Sequence, residues 1–154
     1  MTDSRSRLRR HLRYAVAVFA PFLLPAIAVG QALKATAPIP TAPASGTTLV
    51  TRTPALTVQN AEGLYVNAWF VYRFEVYDAG RGTLVASGIA EQVTGASSFQ
   101  VATPLDYATT YWWRARAQLD GANGPWSSTF SFVTPAPAPP PPSATNPLSF
   151  TDIS

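Results

Sequence analysis

The chain has no cysteine and one histidine, His11, and each shortage excludes a class of chemistry. Without thiols there is no disulfide framework, no thiolate metal site and no thiol nucleophile. With the one imidazole near the start, no Ser-His-Asp or Cys-His arrangement can form in the body of the chain. Charge is scarce as well, at 12% of residues, and the formal +3 is unevenly placed. Arg5, Arg7, Arg9, Arg10 and Arg13 crowd the beginning, whereas from Ala35 onward five arginines stand against seven acids. The body lacks the basic face that a nucleic-acid partner requires, so nucleic acid is not expected. Helical periodicity is also missing after the first third, and with it any glycine loop that opens a helix to cradle phosphate.

Residues 1–32 have the layout of a secretory signal peptide. A positive stretch, Arg5 to Arg13, precedes sixteen uncharged, mostly apolar residues, Tyr14 to Val29. Ala28-Val29-Gly30 and Gly30-Gln31-Ala32 then offer the small-x-small pattern of a cleavage site. Pro21 and Pro25 interrupt the apolar run, which falls short of the roughly 20 residues of a comfortable spanning helix. An uncleaved N-terminal anchor, as a hydrophobic leader helix, is the alternative. Either way the positive end stays inside and the body is exported by the general secretory route, to an extracellular, cell-surface or periplasmic location. The membrane is met only through the leader, if it is uncleaved. Arg9-Arg10 fits a twin-arginine signal poorly, because Arg13 falls where such signals are hydrophobic.

The body, residues 37–134, reads as short strands separated by turns. Ala37 to Ser45 is spaced by prolines, which supply no ladder donor, and is expected as an edge strand that Thr47 to Thr51 continues. Pro54 to Asn60 turns Leu56 and Val58 inward. Ala68 to Asp78 is expected as the longest strand, with Phe70, Tyr72, Phe74 and Val76 on one side. Its other side, bearing Trp69, Arg73, Glu75 and Tyr77, is the wetter. After the glycine turn at Asp78 to Gly82 come three short strands, Thr83 to Ser87, Gly88 to Val93 and Ser97 to Ala102, the last with Phe99 and Val101 inward. Tyr107 to Ala117 alternates Tyr111, Trp113, Ala115 and Ala117 against Trp112, Arg114 and Arg116. Asp120-Gly121 and Asn123-Gly124 mark a hairpin tip, and Pro125 to Val133 returns with Phe130 and Phe132 on one face. About seven antiparallel strands with no helix between them predict a two-sheet sandwich. Its core is Leu56, Val58, Tyr72, Phe74, Val76, Phe99, Val101, Leu105, Tyr111, Trp113, Phe130 and Phe132.

Leu105, Thr109 and Tyr111 stand at the spacing by which a tyrosine corner enters the sixth strand of such a sandwich, its hydroxyl bonding back to upstream backbone. Together with Tyr72 to Val76 (Y-R-F-E-V), Gly124 to Ser127 (G-P-W-S) and the following F-S-F-V-T, these residues resemble the fibronectin type III family and its bacterial extracellular relatives. The resemblance implies an immunoglobulin-like sandwich without catalytic or cofactor-binding residues. Tyr107 stands where the family often has proline, and Leu56 or Val58 takes the place of its buried second-strand tryptophan. The absence of a Cys-Trp-Cys pattern separates the chain from true immunoglobulin domains.

Residues 135–154 form a Pro-rich linker and a short tail. Pro135 to Pro142 is expected as polyproline II, a semi-rigid spacer of about 25 Å. The carboxylates offer little chemistry: Asp78, Asp106 and Asp120 all fall in turns, where Asp serves its own backbone. Asp120-x-x-Asn123 has too few oxygens for calcium. Neither a metal nor a cofactor is expected. The informative surface is the face bearing Trp69, Trp112, Trp126, Arg73, Arg114 and Arg116. It is either a cation-π ladder, with Trp126 over Arg114 and Arg116 and cross-strand pairs from Arg73 and Glu75, or an aromatic platform. The first suits a non-catalytic spacer, adhesion or protein-interaction unit. The second suits a carbohydrate-binding module tethered to an enzyme outside this chain, with a polysaccharide partner.

Overall fold

The computed structural model describes residues 32–65 and 67–141, so all but the last residue of the expected leader, residues 1–32, and the tail from residue 142 lie outside the described residues. Nine strands follow in chain order: β1 (Ile39–Ala42), β2 (Thr47–Thr48), β3 (Ala55–Gln59), β4 (Val71–Tyr77), β5 (Leu84–Glu91), β6 (Ala96–Gln100), β7 (Thr110–Leu119), β8 (Ala122–Trp126) and β9 (Phe130–Val133). There is no helix among the described residues. The smaller sheet runs β1-β3-β6; the larger runs β2-β9-β7-β4-β5, with β8 also paired to β7. The molecule is therefore the all-β, two-sheet sandwich expected of alternating short strands.

The inner faces supply one core. Leu56, Val58, Tyr72, Phe74, Val76, Val101, Leu105, Tyr111, Trp113 and Phe132 are buried. Phe99 and Phe130 are half-buried against the same cluster. Phe74 stacks between Phe99, at 5.7 Å between ring centres, and Trp113, at 6.3 Å. Phe130 meets Trp113 edge-on at 6.1 Å, which favours the quadrupole of both rings. Small inward residues, Ala115 and Ala117, leave room for these rings along β7. Each large apolar side chain so buried stabilises the fold by about 1.5–3 kcal/mol. Phe70 is equally buried and closes the core at the start of β4.

The tyrosine corner is formed: the Tyr111 hydroxyl accepts from the Asp106 backbone N–H at 3.1 Å. Tyr107, in the position the family often gives to proline, lies under the Arg52 guanidinium at 4.0 Å. Arg52 Nε also donates to the Leu105 carbonyl, so one side chain ties the corner to the segment before β3.

Several expectations about strands need correction. Thr47–Thr48 does not continue β1; it crosses to the larger sheet and pairs parallel with β9, after a turn in which Gly46 has φ 82°. Thr83 to Ser87 and Gly88 to Val93 are not two strands but one, Leu84–Glu91, because Gly88 is no break. It pairs with Phe74, and a side chain there would collide with the Phe99 ring. Glycine marks a close approach inside the sheet rather than a turn. The longest strand is β7, with ten residues, not β4, with seven. Only Asp120-Gly121 forms the hairpin tip, both residues at positive φ as a two-residue I′ turn needs, and Asn123-Gly124 lies within β8. The returning strand is split into β8 and β9 at Ser127, which bonds Ala115 twice: its N–H donates to the Ala115 carbonyl at 2.8 Å and its Oγ accepts from the Ala115 N–H at 3.0 Å.

Candidate functional site

Strands β4 and β7 pair so that Arg73 faces Arg116, Glu75 faces Arg114 and Tyr77 faces Trp112 on the outer side of the larger sheet. β8 adds Trp126 opposite Arg116. Period-two alternation puts all these side chains on one face, and register alone brings them together.

Glu75 is the hub of this face. Its Oε2 accepts from the Tyr77 hydroxyl at 2.6 Å and from Arg114 Nη2 at 3.0 Å. Its Oε1 accepts from Arg73 Nε at 3.0 Å. Although it points outward, its neighbours cover it to 7% exposure. Burial pushes the Glu75 carboxyl up, but hydrogen bonds from Tyr77, Arg73 and Arg114 outweigh it and hold the group below the usual carboxylate range. The same contact, with burial added, pushes the Tyr77 phenol up.

The guanidinia stack on rings. Arg114 lies 4.0 Å from the Trp126 ring centre and 5.2 Å from that of Tyr77; Arg116 lies 4.4 Å from Trp126. Trp126 is thus held by both arginines. Trp112 is covered by Arg81, 3.5 Å above its ring, and the two share a shallow groove with Tyr77, Arg114 and Thr129. The expected cross-strand ion pairs are only partly present. Glu75 meets Arg114 across the strands, while Arg73 bonds Glu75 along its own strand. Arg73 and Arg116 stand opposite each other as like charges, because Glu75, the carboxylate that pairs with this ladder, is taken by Arg73 and Arg114. Arg116 stacks instead, and its Nε is buried without a hydrogen-bond partner among the described residues.

Trp69 is not part of this ladder. It stands 65% exposed at the end of the sandwich. It borders a groove of about 400 Å³ lined by Val71, Gln118, Leu119, Asp120 and Gly121. Tyr65, 85% exposed, stands on the same loop between β3 and β4. The carboxylates of the turns serve backbone. Asp78 Oδ1 accepts from the N–H groups of Gly82 and Thr83 at 3.0 and 3.2 Å, and these bonds, Thr83 foremost, hold its carboxyl below the usual range. No cluster of three or more His, Asp or Glu residues that could hold a metal occurs among the described residues.

Tyr77 is legible on this face from its alternation with Arg73 and Glu75. Arg81 is not, because its place over Trp112 depends on the path of a glycine turn.

No family model matches the chain, and no curated protein matches it. Among solved structures it is similar to fibronectin type III domains. One, derived from human KIAA0970 protein, is 18% identical, covers 79% of this chain and 85% of its own, with a TM-score of 0.47. Two come from human fibronectin type III domain containing protein 3. One is 18% identical and covers 71% of this chain and 93% of its own, at TM-score 0.42; the sixth domain is 22% identical and covers 69% and 88%, at 0.38.

Proposed function

We propose that this chain is an exported, non-catalytic, fibronectin type III-like module that serves as a spacer, adhesion or protein-interaction unit at a cell surface or in secreted material. One observation carries the reading: the chain enters and leaves at opposite ends of β7. At the hairpin end, Leu33 N–H donates to the Asn123 carbonyl at 2.9 Å. At the other end, Ala108 N–H donates to the Pro135 carbonyl at 2.9 Å. A ten-residue strand separates these points by about 30 Å. Residues 136–141 follow, exposed and without regular structure. Such a path holds apart whatever is attached to its two ends. The arginine cover on Trp112 and Trp126 supports the same reading, because those rings are occupied from within the chain.

The test is to fuse a reporter after Ser154 and treat intact cells with protease. The proposal expects the reporter to be cleaved from outside; a reporter protected until lysis would refute export. Trp69 favours a second reading, a carbohydrate-binding module that uses this exposed ring and its groove for stacking. In a titration with a panel of polysaccharides, the spacer reading expects unchanged tryptophan emission. An emission shift that disappears in Trp69→Ala would establish the second reading instead.

A further inference from the structure

β8, five residues with Pro125, pairs only with β7, and its outer side is met by Leu33; of the four other outer edges of the two sheets, three are blunted. β1 is flanked and interrupted by Pro38, Pro40 and Pro43; β2 has two residues; β6 has five, with Ser98 and Gln100 exposed. The fourth, β5, has eight residues and contains no proline, lysine or arginine. Its one irregularity is at Val85, which is passed over between Leu84 and Ala86, so the regular stretch runs from Ala86 to Glu91. Leu84, Val85 and Ile89 are exposed on it by 45%, 41% and 65%. Gln92 N–H bonds the Phe70 carbonyl, so alternate residues of β5 carry the ladder to β4. The backbone N–H and C=O groups of Ser87, Ile89 and Glu91 consequently point away from it. They have no strand partner among the described residues. Long apolar edges of this kind pair with another strand unless something prevents it.

We infer that β5 is a self-association edge, pairing antiparallel with β5 of a second copy about a two-fold axis at Ser87. The choice of occupant rests on charge. β5 carries one charged residue, Glu91 at its end, and Arg81 stands just before its start. An antiparallel pair brings each Glu91 toward the other copy's Arg81, whereas a parallel pair sets Glu91 against Glu91. In the antiparallel register Ser87 of each copy faces the other, and the exposed Ile89 of each lies two residues from the axis. The contact is isologous and closed, so it yields a dimer rather than a fibre.

The cysteine-free chain permits a direct test. Residues facing across such an axis have Cα atoms about 5.5 Å apart, within the range a disulfide spans. The full-length chain carrying Ser87→Cys is oxidised mildly beside a control carrying Ser98→Cys on the β6 edge. The leader is common to both, so association through it affects them equally. The inference expects Ser87→Cys to form covalent dimer about tenfold faster than the control, and adding Ile89→Lys to Ser87→Cys to remove the difference. Ile89 is mostly exposed, so the lysine variant keeps its fold, which an unchanged thermal unfolding curve verifies. Equal rates for the two cysteine variants would overturn the inference. So would a wild-type chain that sediments as a monomer at every concentration, including one whose β5 instead takes up a strand from another protein.

Discussion

At Gly88 the space for a side chain is already filled. A Cβ built there would lie 2.0 Å from the Phe99 ring, which is held in a stack on Phe74. Gly88→Ala must displace that ring, and a loss of about 1–2 kcal/mol in urea unfolding is expected, the size of ordinary overpacking. Tyr111→Phe keeps the ring against Phe132 but removes the acceptor for the Asp106 N–H, and is expected to cost about 1 kcal/mol. Glu75 makes the fold sensitive to acid. Its folded carboxyl titrates below its ordinary value, so in the unfolded chain it binds protons more readily. Its contribution is complete above about pH 4.3 and is lost as pH falls through the lower folded value. Tyr77 works in the opposite direction: its raised phenol adds stability that is lost as pH rises through the folded value, above about 10. Glu75→Gln should lower stability at neutral pH by about 2 kcal/mol and flatten the acid limb; an unchanged acid limb would show that another group controls it.

For the strands, alternation and glycine chemistry explain what could be read in the sequence and what could not. The inward sets of β3, β4 and β7 were legible because each strand alternates cleanly, and the tyrosine corner because its spacing is local. The fate of Gly88, the crossing of Thr47–Thr48 to the other sheet and the break at Ser127 were not legible. Each is decided by a partner distant in sequence: Phe99, Phe132 or Ala115. The candidate face was half legible. Alternation gave its members and placed Trp126 over the arginines, but which cations take Glu75 depends on side-chain reach. The I′ turn is a test at this scale. Gly121 has φ 81°, so Gly121→Ala should cost about 1 kcal/mol and loosen the hairpin between β7 and β8. Faster amide exchange at Ala122, which pairs with Leu119, would register it, and unchanged exchange would place the turn's determinant elsewhere.

Across the whole molecule, two surfaces of the larger sheet have different tasks. The inner one seals Trp113 and Phe74 in a single core, so unfolding by heat and by urea should follow one transition. The outer one gathers Arg73, Glu75, Tyr77, Arg114, Arg116 and Trp126 into contacts with each other, leaving Trp69 at the end as the exposed tryptophan. Built this way, the larger sheet commits its outer aromatic side chains to the stability of the fold. The claim that this face is satisfied internally is tested most directly by a double-mutant cycle on Arg114 and Trp126, each replaced by leucine, with stability measured by urea unfolding. Stacking at 4.0 Å predicts a coupling of at least about 0.5–1 kcal/mol. Additive effects, with no coupling beyond error, would contradict it and leave the ring available to a ligand.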